Sequence, residues 1–224
     1  IVVKVTDCSC TNPATSDAGN DDVVCAGDSY VLSGSITVAT TAAWTSSGTG
    51  TFDNANKLNA TYTPSQSDID NGSVTLTLTT DDPDGAGPCS PVSDEMTLTI
   101  INVKITLTPQ SPLCEDAAPI TLTATPQGGT WSGPGITNGN TFDPEIAGPG
   151  THTVQYSVGG ICPKSDAMFI VVNPLPIINI TPVPDLCLDD PAVILTASPS
   201  GGTWSGQKVT GNTFTPSSVG TFTV

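Results

Sequence analysis

One sequence unit is written three times along this chain, and this repetition restricts the fold more than any other feature. Each unit places a cysteine before an apolar stretch, then a tryptophan, then a phenylalanine. These landmarks are Cys25, Cys114 and Cys187; Trp44, Trp131 and Trp204; and Phe52, Phe142 and Phe214. The first two cysteines are 89 residues apart and the first two tryptophans 87, while both second intervals are 73 residues. Units of this length exceed the solenoid periods of about 20 to 50 residues and can each hold a core.

A further cysteine closes the first two units. Residues 89–96 read CSPVSDEM and residues 162–168 read CPKSDAM, and both methionines of the chain lie in these segments. The repetition predicts four domains: residues 1–7 as the end of a preceding repeat, 8–102 as the first repeat, 103–173 as the second, and 174–224 as a truncated third. Because residues 1–5 and 221–224 are strand-like, we expect a segment of a longer protein.

Apolar residues alternate with threonine in several short segments, including residues 73–79, 96–100 and 120–124. This period of two predicts strands with one buried face. The 35 threonines favour strands, and the 22 glycines and 20 prolines favour turns. We therefore predict an all-β chain of tandem immunoglobulin-like β-sandwich domains arranged as beads on a string. Trp44, Trp131 and Trp204 are predicted core residues, with exposed sugar-stacking platforms as the less favoured alternative.

The charge balance excludes several classes of partner. The chain has 21 acidic residues, five lysines and no arginine, which gives a net charge of -16. Such a chain repels phosphate backbones, so we expect no nucleic acid partner. No apolar run reaches the roughly 18 residues of a membrane span, so we expect no direct membrane insertion.

The sequence offers little for catalysis, and we predict that the chain is not an enzyme. His152 is the only histidine, and it lies in a strand-like stretch. The glycine-rich segments at residues 128–133 and 201–206 lack the lysine of a phosphate-binding loop. We expect no catalytic residues and no organic cofactor.

Calcium is the one ligand with a physical argument. Asp81, Asp82 and Asp84 place three carboxylates beside a turn glycine, and calcium prefers clustered oxygen ligands in irregular loops. Neither this loop nor the cluster at residues 17–22 follows the twelve-residue EF-hand pattern. A solvated acidic loop is the alternative.

The cysteines predict disulfides and an oxidising compartment. Their positions within the repeats predict the pairs Cys25 with Cys89 and Cys114 with Cys162, and leave Cys187 without a mate. Cys8 and Cys10 fit no repeat position, so a bridge to a preceding domain, a bond to each other and free thiols all stay open. A metal site is disfavoured because the chain has no C-x-x-C pair.

The repeats resemble a known family. Residues 128–133 (GGTWSG), residues 140–144 (NTFDP) and Cys162 with Ser165 and Asp166 resemble the immunoglobulin-like or PKD-like repeats of giant surface proteins in gliding Bacteroidota. The segment at residues 44–52 resembles a sister class of these repeats. The resemblance extends over nearly the whole chain.

The resemblance implies a structural repeat segment of a secreted adhesin filament that supports surface adhesion and gliding motility. Such a protein is exported by the type IX secretion system to the extracellular face of the bacterial cell and is attached to the outer membrane. The implied partners are neighbouring repeats of the same chain, the gliding or secretion machinery, and surface glycans. The alternative function is a glycan-binding or spacer module of a secreted polysaccharide-degrading protein.

Overall fold

The computed structural model describes residues 1–3, 9–85 and 87–224. Cys8 and most of the predicted end of a preceding repeat, residues 1–7, lie outside the described residues. The two helices of the described part span six and four residues, and strands form the rest of its regular structure. The predicted all-β, immunoglobulin-like sandwich fold is confirmed.

Residues 15–101 form three sheets, of four, three and two strands. Their elements are β1 (Thr15–Asp17), β2 (Asp22–Cys25), β3 (Tyr30–Val31), β4 (Ser35–Thr37), β5 (Ala42–Ser46), β6 (Thr51–Phe52), β7 (Thr61–Thr63), α1 (Gln66–Asn71), β8 (Ser73–Thr80) and β9 (Ser93–Ile101). The strand orders are β2-β9-β8-β5, β3-β7-β6 and β1-β4. β2 runs parallel to β9, and the other pairs are antiparallel.

Residues 106–173 repeat these three sheets. Their elements are β10 (Thr106–Leu107), β11 (Leu113–Cys114), β12 (Ile120–Thr121), β13 (Ala124–Thr125), β14 (Thr130–Ser132), β15 (Ile136–Thr137), β16 (Thr141–Phe142), α2 (Pro144–Ala147), β17 (Gly150–Val158) and β18 (Lys164–Asn173). The orders are β11-β18-β17-β14, β12-β16-β15 and β10-β13, and β11 runs parallel to β18.

Residues 179–214 form only the two smaller sheets. Their strands are β19 (Asn179–Ile180), β20 (Val193–Ile194), β21 (Ala197–Ser198), β22 (Val209–Thr210) and β23 (Thr213–Phe214). The orders are β20-β23-β22 and β19-β21.

The threonine alternation forms strands because it separates a buried face from a wet one. In β8 the even-numbered residues Val74, Leu76 and Leu78 are buried, and the threonines between them are only half-buried. β9 continues the same layer, with Leu76 opposite Met96 and Val74 opposite Leu98. Burial of each such aliphatic side chain contributes about 1.5–3 kcal/mol.

The chain divides into two compact units that do not coincide with the sequence repeats. The first comprises residues 1–109, 122–132 and 154–168, and its core is centred on Trp44, Tyr62 and Leu98. The second comprises residues 110–121, 133–153 and 169–224 and buries Phe142 and Ile170, among others. The division into repeats at residues 102, 103, 173 and 174 stays a prediction.

Candidate functional site: disulfide-closed strand ends

Two disulfides lie in the described part of the chain, and both differ from the predicted pairs. Cys10 is bonded to Cys89, with 4.7 Å between the Cα atoms, and Cys25 is bonded to Cys162, with 5.5 Å between them. The predicted pairs Cys25 with Cys89 and Cys114 with Cys162 are therefore wrong.

Parallel pairing of the first and last strands explains the first correction. Cys25 ends β2 and lies opposite Ile101, the last residue of β9, whereas Cys89 precedes the first residue of β9. At about 3.3 Å per residue, the two ends of this nine-residue strand are about 26 Å apart. A disulfide needs Cα atoms within about 7 Å, so Cys25 and Cys89 cannot meet.

The second correction follows from the same arrangement. Cys114 ends β11 opposite Asn173, the last residue of β18, and Cys162 precedes the first residue of that strand. The thiols of Cys114 and Cys187 are free and exposed.

Cys10 reaches Cys89 because the entering chain is tied to the beginning of β9. The Ser16 hydroxyl donates to the Leu78 carbonyl at 2.8 Å, and the Ala18 N–H donates to the Asp94 carboxylate at 2.8 Å. β1 is therefore held against β8 and β9 near the end where Cys89 lies. For Cys10 the structure shows none of the three alternatives left open by the sequence, because its partner is Cys89 of the same chain.

A buried carboxylate organises the first repeat. Asp68 is 1 % exposed, and it accepts the N–H groups of Thr49 (2.9 Å) and Gly50 (2.8 Å). It also accepts the Ser65 N–H at 2.9 Å and the Tyr62 hydroxyl at 2.8 Å. These bonds join the β5–β6 loop, the N-terminus of α1 and the core.

The electrostatics of Asp68 reflect two opposed effects. Burial raises the pKa of its carboxyl, but hydrogen bonds from Ser65, Thr49 and Tyr62 outweigh burial and hold the pKa below its ordinary value. A Cβ atom at Gly48 would collide with this carboxylate, so the loop needs glycine there. The sequence analysis missed Asp68, although Ser65 and Asp68 have capping-box spacing, and each side chain accepts the other's backbone N–H.

The three tryptophans have different surroundings. Trp44 is 2 % and Trp131 8 % exposed, and the Trp131 ring lies 4.9 Å from that of Tyr156. The Tyr156 hydroxyl donates to the Pro126 carbonyl at 2.6 Å and accepts the Gly129 N–H at 2.7 Å, which fixes the turn before Trp131. Trp204 is only half-buried.

The acidic loop does not gather its carboxylates around one point. Asp81 accepts the N–H groups of Thr40 and Thr41, both at 3.1 Å, and the Thr40 hydroxyl at 2.7 Å. Asp82 accepts the Asp84 N–H at 3.2 Å, and Asp84 accepts the N–H of Cys89. Within the described ranges, no group of three or more His, Cys, Asp or Glu side chains could hold a metal ion. The geometry of this loop therefore gives the calcium hypothesis no support.

His152 makes contacts of a structural kind. Its Nε2 atom lies 2.8 Å from the Gly148 carbonyl oxygen, and its ring lies 6.2 Å from that of Phe142. These contacts join β17 to the turn that follows α2.

In the part of the chain that the structure describes, no helix is long and apolar enough to cross a bilayer.

Comparison with known proteins gives structural similarity alone. No protein-family model matches the chain, and no curated protein matches its sequence. Solved structures that match include the insect immune protein hemolin, whose domain arrangement is described as having implications for homophilic adhesion. Hemolin is 13% identical over 71% of this chain and 46% of its own length, with a TM-score of 0.40.

Two further solved structures match at similar identity. The IG1+IG2 segment of DIP-gamma is 12% identical over 73% of this chain and 98% of its own, with a TM-score of 0.40. Repeats EC22-24 of mouse cadherin-23 are 12% identical over 83% and 77%, with a TM-score of 0.38. All three scores are below 0.5, so the fold assignment rests on the sheets and their order.

Proposed function

We propose that this chain is a structural segment of an extracellular adhesion filament, built from immunoglobulin-like sandwiches that are stapled to one another by disulfides. The observation that carries the proposal is the bond between Cys25 and Cys162. It joins the strand-end cysteine of the first repeat to the closing cysteine of the second.

The bond defines the route that tension takes along the chain. A pull on the two ends follows the shortest covalent path, which passes from Cys25 directly to Cys162. These residues are 137 positions apart in sequence, so the chain between them does not have to extend. In a filament of such segments, the part closed by this disulfide keeps its length under load.

The sheet geometry adds a second resistance. β2 and β9 are parallel neighbours over four residue pairs, from Asp22 opposite Leu98 to Cys25 opposite Ile101. Once the bond between Cys25 and Cys162 is reduced, a pull on the start of β2 and the end of β9 shears the hydrogen bonds between the strands together. Parallel bonds are evenly spaced along the pair, so they share the load.

Charge and chemistry support an extracellular surface. Disulfides persist in oxidising compartments, and a net charge of -16 limits adhesion between filaments. With the family resemblance, this supports attachment to the outer membrane of a gliding bacterium, export by type IX secretion, and a role in motility. Neighbouring repeats, the gliding or secretion machinery and surface glycans are the proposed partners.

Antibody labelling of live producing cells tests the proposal. An antibody against this segment is expected to label the cell surface, to move with it, and to impair attachment or gliding. A Fab against a periplasmic protein is the control. Absence of surface label, or label without any effect on attachment and gliding, would contradict an adhesion filament.

Calorimetric titration with polysaccharides tests the alternative, a glycan-binding module. Trp44 and Trp131 are buried and cannot stack on a sugar without unfolding, so we expect neither ring to contribute heat of binding. Millimolar or tighter binding by the folded chain would favour the glycan-binding module instead.

A further inference from the structure

The strand-end cysteines of the first two repeats occupy the same structural position, although only one of them is bonded. Cys25 is the last residue of β2, which pairs in parallel with β9 and places Cys25 opposite Ile101. Cys114 is the last residue of β11, which pairs in parallel with β18 and places Cys114 opposite Asn173. In both sheets this parallel strand is at the edge of a four-stranded order.

The backbone after each cysteine folds into the same turn. The next residue donates its N–H to the carbonyl opposite the cysteine, and the residue three positions on donates to the carbonyl of the cysteine itself. These bonds are Ala26 to Ile101 (2.9 Å), Asp28 to Cys25 (3.0 Å), Glu115 to Asn173 (3.0 Å), Ala117 to Cys114 (3.1 Å) and, in the third repeat, Asp190 to Cys187 (3.1 Å). The backbone around Cys114 therefore has the same strand pairing and the same turn as the backbone around Cys25.

Cys25 is bonded to a cysteine in a turn of the following repeat. Cys162 lies in the turn at residues 159–163, between β17 and β18, and it is 8 % exposed. The Sγ atom of Cys25 also lies 3.7 Å from the Ile161 carbonyl oxygen of this turn. Cys114 has the same backbone setting, but its thiol is exposed.

The third repeat lacks the hairpin that would carry the corresponding turn. It has counterparts of the three-stranded and two-stranded sheets of the second repeat, and within the described residues it has none of the four-stranded sheet. Two cavities, of 440 and 610 Å³, lie beside Leu195, and they are lined by Phe214 and Phe222 and by Trp204, respectively. In the second repeat the hairpin strand β17 supplies Tyr156 against Trp131. A hairpin of the same kind would cover these cavities in the third repeat.

Alignment of the second repeat with the third predicts the sequence position of the cysteine in that hairpin. Residues 150–154 (GTHTV) correspond to residues 220–224 (GTFTV), so Val224 stands where Val154 does. Cys162 follows Val154 by eight residues. The corresponding turn cysteine is therefore expected about eight positions beyond Val224 in a continuing chain.

We propose that Cys114 is the covalent attachment point for the third repeat, and that its Sγ bonds to the turn cysteine of the hairpin that completes that repeat. Two thiols each lose a proton, one Sγ–Sγ bond forms, and the two electrons pass to a disulfide oxidant such as oxidised glutathione, which becomes two thiols. Each repeat would be stapled to the next in the way that Cys25 is bonded to Cys162. This inference rests on the proposed filament of tandem repeats.

An extended chain tests the pairing. The sequence of residues 155–173 is added after Val224, which supplies the missing hairpin and its cysteine, and the protein is oxidised with a glutathione redox buffer. After alkylation and non-reducing peptide mapping, we expect Cys114 bonded to the added cysteine, Cys25 bonded to Cys162, and Cys187 alkylated. In the matched control, with serine for the added cysteine, Cys114 should be fully alkylated.

Two results would overturn the proposal: Cys114 alkylated in the extended chain while Cys25 and Cys162 are bonded, or the added cysteine bonded to Cys187. Peptide mapping of the polypeptide isolated from producing cells is the second measurement, and it does not depend on folding of the added hairpin. There, Cys114 must be linked to a cysteine that follows Val224, and a free Cys114 thiol refutes the staple. The antibody experiment is independent, since adhesion can persist without this bond.

Discussion

The second and third repeats share their landmark residues but differ in how far the core is closed. Both form a three-stranded sheet of the same order, β12-β16-β15 and β20-β23-β22. Trp131 nevertheless lies against Tyr156 and is buried, whereas Trp204 is half-buried beside a cavity of 610 Å³. The small sheets therefore form from nearby residues, and burial of the tryptophan needs the long hairpin that follows it in sequence.

Mechanical extension should give the largest difference between the stapled repeats and the third. In the oxidised chain, residues beyond Cys162 extend while the chain between Cys25 and Cys162 stays out of the load path. Full reduction should allow the chain between Cys25 and Cys162, which are 137 positions apart, to extend, and this adds about 470 Å to the contour length. Optical tweezers on a chain tethered at both ends measure this gain before and after reductant.

The variant Cys10→Ser is the control for this experiment. The shortest covalent path already runs through Cys25 and Cys162, so loss of the Cys10–Cys89 bond should leave the oxidised contour length unchanged. A full-length extension of the oxidised wild-type chain would contradict the observed pairing.

Truncation of the two tryptophans tests core closure directly. Trp131→Ala should lower the free energy of unfolding by about 3–5 kcal/mol, because it removes a large buried ring and leaves a cavity. The matched variant Trp204→Ala should cost less than about 1 kcal/mol, since its ring is not enclosed. Guanidinium denaturation followed by circular dichroism measures both, and equal losses would mean that the third repeat is closed.

Loss of the Asp68 hydrogen bonds should destabilise the first repeat and leave the third repeat unchanged. Asp68→Ala removes a helix cap and leaves buried donors unpaired, so we expect a loss of about 2–4 kcal/mol. Asp70→Asn, on the exposed face of α1, is the control and should have little effect. Hydrogen exchange of α1 and β8 amides should report the loss, with the amides of residues 179–224 unchanged.

Low pH should affect the stability of the first repeat more than that of the third. Because the folded pKa of Asp68 lies below its ordinary value of 3.8, its contribution is complete above that value and is lost as the pH falls through the lower, folded pKa. We expect the exchange protection of α1 to decrease below about pH 4 in the wild type. In Asp68→Asn this pH dependence should be absent.

Calcium should have the smallest effect. Asp81 already accepts three hydrogen bonds from Thr40 and Thr41. The other two carboxylates of the loop, Asp82 and Asp84, accept backbone N–H groups of Asp84 and Cys89. Addition of millimolar calcium or of a chelator should change the melting temperature by less than about 1 °C, well below the 4–8 °C that about 1 kcal/mol produces in a small domain. A larger rise with calcium would revive the site at Asp81, Asp82 and Asp84.

Much of the fold could be predicted from sequence because its signals are local. The alternation in residues 73–79 became β8, and the buried positions of Trp44 and Trp131 follow from apolar strands beside turn residues. The Asp68 network could be predicted only in part, since the spacing to Ser65 indicates a helix cap. The donors from Thr49, Gly50 and Tyr62 come from other elements, and nothing in the sequence pairs them with Asp68.

The sequence by itself determined the repeats, the strands and the presence of disulfides, because these depend on periodicity and composition. The tertiary structure decided which cysteines meet. Parallel pairing of the first and last strands of a sheet places the two cysteines of one repeat at opposite ends. Cys25 is bonded instead to Cys162, and Cys10 to Cys89. A disulfide records proximity in space, and proximity between distant segments is set by how the sheets are ordered and packed.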